Sequence, residues 1–247
     1  MASLRLLDDL TADGPEQMAA DEALLEAATS PTLRVYTWDP PTVSLGYFQD
    51  HAGIHHRLKS LGPVPPLVRR ITGGGAIWHQ DEITYALVGI LGQDGLPTRT
   101  AGVYRLLHGA IRAELDARGA PLQTQDRTVG DRRYAREPRC FASPAAEDLI
   151  RDEAKVLGSA ARTRGERLLI HGSLKLASNP WDGDAVAGCG LDGSQARAAL
   201  IAGVATALGL DVEAGTWTDA ELAARRRIRA QRYGDTRWVV ERIGPRA

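Results

Sequence analysis

Residues 155–176 read KVLGSAARTRGERLLIHGSLKL. Two runs of strand-forming residues, KVLGSAA (155–161) and RLLIHGSLKL (167–176), meet at a turn around Gly165. So short a connection cannot return the chain for parallel pairing, which needs a crossover of about a dozen residues or more. An antiparallel hairpin is therefore expected, and with it a sheet that is antiparallel or mixed. In this hairpin His171, Gly172 and Ser173 fall opposite Gly158, Ser159, Ala160 and Ala161, so its middle is built mostly from small side chains.

The other patterns surround the hairpin with mixed α/β structure. GPEQMAADEALLEAA (14–28) reads as a helix, with Pro15 suited to its first turn. TLRVYTWD (32–39) and TVSLGYF (42–48) read as strands broken apart by Pro40 and Pro41. PLVRRIT (66–72), AIWHQ (76–80) and ITYALVGIL (83–91) add three more. AGVYRLLHGAIRAELDARG (101–119) sets Val103, Leu106, Leu107, Ala110, Ile111 and Leu115 on one helical face, and Gly119 suits its C-terminal stop. Residues 120–139 are polar and Arg-rich without a period; CFASP then leads into a turn of helix. Ser194 is placed to cap a helix carrying Leu200, Ile201, Val204 and Leu208. Thr218 and Glu221 have capping-box spacing for another. RWVVERI (237–243) reads as a final strand or extended tail. No repeat or long linker divides the chain. The expectation is one α/β unit over residues 1–247, its mixed, largely antiparallel sheet flanked by helices, with 210–247 a helical C-terminal section of the same unit.

Bulk charge excludes some function classes. The net charge is −1, which makes no electrostatic bid for nucleic acid or a membrane surface. No apolar run reaches transmembrane length. MASLRLLDDLTADG at the N-terminus lacks the basic and apolar regions of a signal peptide, so a cytoplasmic protein is expected. Two cysteines, Cys140 and Cys189, make no disulfide framework, and the six histidines form no metal-ligand spacing, so no metal site is expected. The chain has three lysines, Lys59, Lys155 and Lys175, against twenty-seven arginines, which draws attention to each lysine.

RRITGGGAIWH (69–79) places three glycines between strand-like runs. Glycine weakens a strand and marks a bulge, a bend or a close approach to another group. Gly73, Gly74 and Gly75 therefore mark either a tight hairpin turn or a place where something comes near the main chain.

Taken in order, MAADEALL, PTLRVYTWDPPTVSLGYFQ, RRITGGGAIWHQDEITYAL, KVLGSAA and HGSLKL resemble the successive blocks of the biotin/lipoate protein ligase and transferase family. The resemblance runs from about Gln17 to the C-terminal RYGDTRW. It implies an α/β catalytic domain like that of class II tRNA synthetases and biotin ligase. RCFASP before AKVLGSA is most similar to the branch of cysteine-dependent octanoyltransferases, in which a cysteine precedes the lysine by the interval from Cys140 to Lys155. Ala161 stands where that branch often has Gln, and Ala86 where it often has Ser. The GGG form is also common in ATP-using ligases.

What the resemblance implies is acyl transfer through a Cys140 thioester, from acyl carrier protein to a lysine of a lipoyl domain or of the glycine cleavage H protein, with no cofactor. A cysteine suits this chemistry because the thiolate is strongly nucleophilic, and a nearby ammonium favours the thiolate. Lys155 is the expected ammonium and could also stabilise charge on the acyl oxygen. On residue type alone Cys140 reads as a small buried hydrophobe and Lys155 as a solvated lysine; spacing and context reverse both. Cys189 reads as core and Lys175 as surface or secondary. Gly73, Gly74, Gly75 and Ala76 are expected to bring backbone to the acyl group. Arg70 would line the pocket, bind a carboxylate or phosphate, or form a surface salt bridge. His79 would orient the site, accept a proton from the incoming amine, or be a half-buried structural histidine. Gly158, Ser159, Ala160, His171, Gly172 and Ser173 would make room for an aliphatic chain or simply pack the strands. Two other readings stand beside this one. One is a lipoate–protein ligase forming an acyl-adenylate from ATP and magnesium. The other is a catalytically silent acyl-binding or partner-binding protein on the same scaffold.

Overall fold

A computed structural model describes residues 3–8, 11–129, 134 and 136–243. The chain opens with strand β1 (Leu4–Asp8), helix α1 (Gly14–Ala27), strands β2 (Thr32–Tyr36) and β3 (Thr42–Leu45) and helix α2 (His51–Lys59). Strands β4 (Leu67–Arg69), β5 (Ile77–His79) and β6 (Glu82–Ile90) lead to helix α3 (Thr100–Ala117) and strands β7 (Gln123–Thr124), β8 (Leu149–Arg151), β9 (Ala154–Arg164) and β10 (Arg167–Lys175). Helix α4 (Gly193–Leu208), strand β11 (Val212–Ala214) and helices α5 (Asp219–Ile228) and α6 (Thr236–Glu241) complete it.

Eight strands form one sheet in the order β11-β1-β2-β6-β10-β9-β8-β7. The pairs β11–β1 and β1–β2 are parallel and the rest antiparallel, so the sheet is mixed and largely antiparallel as expected. The β9–β10 hairpin pairs His171 with Ala160, Gly172 with Ser159 and Ser173 with Gly158.

Both faces of the sheet are covered, and strand alternation shows how. Leu168 and Ile170 pack with Val103, Leu107 and Ile111 of α3 and Leu200 and Val204 of α4. Leu169, between them, packs on the other face with Leu24 and Leu25 of α1 and Ile228 and Trp238 of the C-terminal helices. A second sheet, β4-β3-β5, stands beside the first.

Several local expectations change. The runs 66–72 and 76–80 do not form a hairpin; β4 and β5 lie on opposite sides of β3, so the glycines cross over its end. Gly46 permits that crossing, because a Cβ there would overlap the carbonyl of Gly74. CFASP leads into turns and not a helix. Asp192, not Ser194, caps α4, accepting from Gln195 N at 2.8 Å. The Thr218–Glu221 capping box is present. RWVVERI is helix α6 where a strand or tail was expected: Asp235 caps it, and buried Trp238 donates its indole N–H to Arg69 O at 2.8 Å. Those tertiary and capping bonds override the strand preference of paired valines. Strands β1, β7, β8 and β11 and helix α2 had no counterpart in the sequence reading. The Arg-rich run 120–139 falls partly on 130–133 and 135, and the C-terminal section ends on 244–247, both outside the described residues. Among the described residues no helix is long and apolar enough to cross a membrane.

Candidate active site

The glycine run receives the segment that carries Cys140. Ala76 N donates to Pro138 O at 2.7 Å and Cys140 N donates to Ala76 O at 2.9 Å, a two-bond bridge between stretches far apart in sequence. Gly75 makes the approach possible: a Cβ on it would lie 2.7 Å from both Cys140 N and Pro138 O. The close approach anticipated for bare backbone is thus made, at least in part, by the protein's own cysteine segment.

Cys140 faces Lys155 of β9. Lys155 Nζ lies 3.6 Å from Cys140 Sγ, 3.5 Å from Cys140 O and 2.7 Å from Asp148 Oδ2. The lysine is 2% exposed, so the solvated alternative is ruled out. Burial works against its charge, but the Asp148 carboxylate, with Cys140 and Tyr134, raises its pKa above the ordinary lysine value. The side chain lies over Gly158, where a Cβ would overlap Lys155 Cε and Nζ. The Phe141 ring sits 5.1 Å from the ammoniums of both Lys155 and Lys175.

Arg70 is buried and acts inward. Its guanidinium donates to Gly73 O at 2.8 Å, Gly75 O at 2.7 Å, and Ser44 O and Oγ at 3.0 Å. Among the described residues it forms no salt bridge, so the surface ion pair is overturned. It braces the glycine run, with most of its donors already engaged.

His79 is fully framed. Nδ1–H donates to Glu82 Oε1 at 2.7 Å, Nε2 meets Ser44 Oγ at 2.7 Å, and the ring stacks on Trp38 with centroids 3.9 Å apart. Burial lowers its pKa to about 4 in spite of Glu82, so the imidazole is neutral at pH 7. Burial alone would raise the pKa of Glu82, but Lys175 and His79 outweigh it and hold the carboxylate ionised. Glu82 also accepts from Thr84 at 2.6 Å and Ser173 at 2.8 Å. Lys175 is therefore not a surface lysine: it is 0% exposed and ion-paired to Glu82. His171 is held similarly, by Asp21 at 2.9 Å and Thr72 at 2.8 Å. Ser159 Oγ meets Tyr85 OH and His108 Nε2, both at 2.7 Å.

These groups surround one cavity of about 530 Å³ of free space, including the part open to solvent. Cys140, Lys155, Arg70, Gly74, His79, Gly158, Ser159, Ala160, His171, Gly172 and Ser173 all line it. Gly73, Gly75 and Ala76 do not; Gly75 and Ala76 act behind it, by docking the cysteine segment. Met18, Tyr36, Trp38 and Ile77 supply apolar wall, and Tyr134 and Asp148 also face it. Sequence reasoning missed Asp148, Glu82, Asp21 and the role of Lys175. Glu82 three residues after His79, and the rarity of lysine, were the available signals. Among the described residues no cluster of His, Cys, Asp and Glu is placed to hold a metal ion.

The His79 frame has a consequence for stability. A histidine whose folded pKa is depressed to about 4 leaves the unfolded chain binding the extra proton between that value and its ordinary 6.5. Stability from this group is complete above 6.5 and is lost as pH falls toward 4. Thermal melts of the wild type should drop through this window, and a His79→Gln chain should drop less.

Comparison with known proteins places the chain in a family. Residues 13–211 match the family model of the lipoyl protein ligase A/B catalytic domain. Octanoyltransferase LipM of Moorella thermoacetica is 38% identical over 188 residues, covering 71% of this chain and 66% of that protein. Octanoyltransferase LipM of Symbiobacterium thermophilum is 31% identical, covering 95% of this chain and 97% of that protein. A crystal structure of lipoate-protein ligase A bound with ATP shares the fold, with a TM-score of 0.79 at 22% identity over 98% of this chain and 100% of that one. On the match across residues 13–211 and the near end-to-end alignment with a relative, this chain belongs to the lipoyl protein ligase A/B catalytic domain family.

Proposed function

We propose that the protein is an octanoyltransferase of protein lipoylation, moving an octanoyl group from acyl carrier protein to a lysine of a lipoyl domain or of the glycine cleavage H protein through a thioester on Cys140. The observation that carries this reading is Cys140 Sγ 3.6 Å from the Lys155 ammonium at a cavity with apolar walls. The LipM relatives support the octanoyl group and the reaction class.

In the first half-reaction the Cys140 thiolate attacks the donor's thioester carbonyl. A tetrahedral oxyanion forms, the carrier's thiolate leaves, and the acyl chain remains on Cys140. Thioester exchange is nearly balanced in energy, so this step needs placement more than driving force. In the second, the unprotonated amine of the acceptor lysine attacks the enzyme thioester and expels the Cys140 thiolate. The amide forms, and the proton lost by the nitrogen replaces the one lost from the thiol. Lys155 supplies positive charge beside both the sulfur and the carbonyl oxygen. His79 does not act as base in this reading, because Ser44 occupies its Nε2 and Glu82 its Nδ1. Met18, Trp38 and Ile77 offer the acyl tail an apolar surface.

A thioester arrives activated, so ATP has no step to drive. Arg70 fits this reading, since both of its terminal amino groups are engaged by backbone carbonyls and Ser44. We expect intact mass spectrometry of the enzyme with octanoyl carrier protein and an apo lipoyl domain, without ATP, to show octanoyl on the lipoyl domain. Much faster modification from free octanoate or lipoate with ATP and magnesium would establish the ligase reading instead.

A further inference from the structure

Lys155 has two anionic neighbours when Cys140 is a thiolate, and they hold it unequally. Asp148 Oδ2 is 2.7 Å from Nζ, whereas Cys140 Sγ is 3.6 Å away. Asp148 is itself fixed: its Oδ2 accepts the Ala145 N–H at 2.6 Å, and its own N–H donates to Ala145 O at 3.1 Å. It closes the turn that leads from Cys140 into β8, and only 4% of it is exposed. Gly158 leaves the space beneath the lysine side chain open. The ammonium is thus anchored to a carboxylate and merely adjacent to the sulfur.

We propose that Asp148 is a positioning residue that pins the Lys155 ammonium beside the reacting carbonyl while restraining the reactivity of Cys140. This rests on the functional reading above. The need for an anchor arises in the second half-reaction. Once Cys140 is acylated its sulfur carries no charge. Lys155 would then be a buried cation without a counter-ion, a costly arrangement that it would relieve by moving. Asp148 keeps it in place at the moment when negative charge develops on the acyl oxygen. The same carboxylate competes with the free thiolate for Lys155, so it slows Cys140 in exchange for placement.

The two effects have opposite signs, which separates positioning from mere support of the fold. Asp148→Asn keeps the shape and an acceptor for the Ala145 N–H while removing the charge. The first readout is alkylation of Cys140 by iodoacetamide at pH 7, in which the thiolate displaces iodide, followed by peptide mapping with buried Cys189 as internal control. The second is single-turnover transfer from octanoyl-enzyme to an apo lipoyl domain. We expect the variant to alkylate faster, by about threefold or more, and to transfer more slowly, by about tenfold or more. Asp148→Glu, which restores the charge, should return both rates toward wild type. A well-folded Asp148→Asn chain that alkylates no faster, or that transfers at the wild-type rate, overturns the proposal. If the asparagine chain fails to fold, Asp148→Ser, which also offers the Ala145 N–H an acceptor, is judged by the same two rates. Alkylation needs no acyl substrate. A wild-type enzyme that transfers no octanoate therefore overturns the functional reading, while the alkylation comparison still tests the electrostatic part of this one.

Discussion

Replacing Cys140 by alanine should abolish octanoyl transfer while leaving the fold intact. Loss of the nucleophile removes the covalent route, and a drop on the order of 10³-fold or more is expected. Alanine is well suited to the site's packing, because the thiol makes only a long contact to Lys155 and sits with Ile77, Phe141 and Val186 in a small apolar cluster. The backbone bonds that dock this segment, from Cys140 N to Ala76 O and from Ala76 N to Pro138 O, do not involve the side chain. The melting temperature should therefore change little. Mixing wild-type enzyme with octanoyl carrier protein alone should add one octanoyl group, mapped to Cys140. An acyl group elsewhere, or turnover by Cys140→Ala at more than a few per cent of wild type, would falsify the covalent mechanism.

Lys155→Arg should inactivate the enzyme almost as severely, although both side chains are cations. The lysine occupies the space above Gly158, where even one added carbon would overlap it, so a larger planar guanidinium cannot follow the same path. Asp148 would attract the new group into a two-pronged ion pair, the geometry arginine prefers, and draw the charge away from Sγ. Displacing a charge by about 1 Å at a reacting centre costs roughly 10²-fold, and we expect at least that loss in transfer to the lipoyl domain. Acylation of Cys140 should suffer less, because some positive charge remains nearby. Measuring the two half-reactions separately, with a thermal melt beside them, checks the claim. Near-normal turnover by a folded Lys155→Arg protein would mean that Lys155 contributes charge alone. Gly158→Ala offers a companion test: it moves the lysine without changing any charge, and the same half-reaction should fail.

Much of the scaffold was legible in local pattern. The β9–β10 register followed from small residues facing one another across a short turn, and His171, Gly172 and Ser173 do lie opposite Ala160, Ser159 and Gly158. Helix α3 announced itself through its apolar periodicity and the stop at Gly119, and α1 through Pro15 in its first turn. By contrast, RWVVERI was misread because its valines favour a strand, while the decisive bond, from Trp238 to Arg69 O, spans 169 residues. Short strands such as β7 and β8 carry too few residues to show any period.

The candidate site divides along the same line. The spacing of Cys140 and Lys155, the glycine run and the family blocks were sequence properties, and they sufficed to name about half of the residues that line the cavity. What each residue does there was decided by the folded chain. Arg70 lines the cavity and also braces the glycine run, and Lys175 turned from a surface residue into the buried partner of Glu82, 93 positions away. Asp21 reaches His171 across 150 positions, and Asp148 became the anchor of Lys155. Hydrophobic period, caps and turns act over a few residues and are therefore written in the chain itself. Which carboxylate neutralises a buried cation depends on which strands and loops pack together, and that pairing exists only once the sheet has formed.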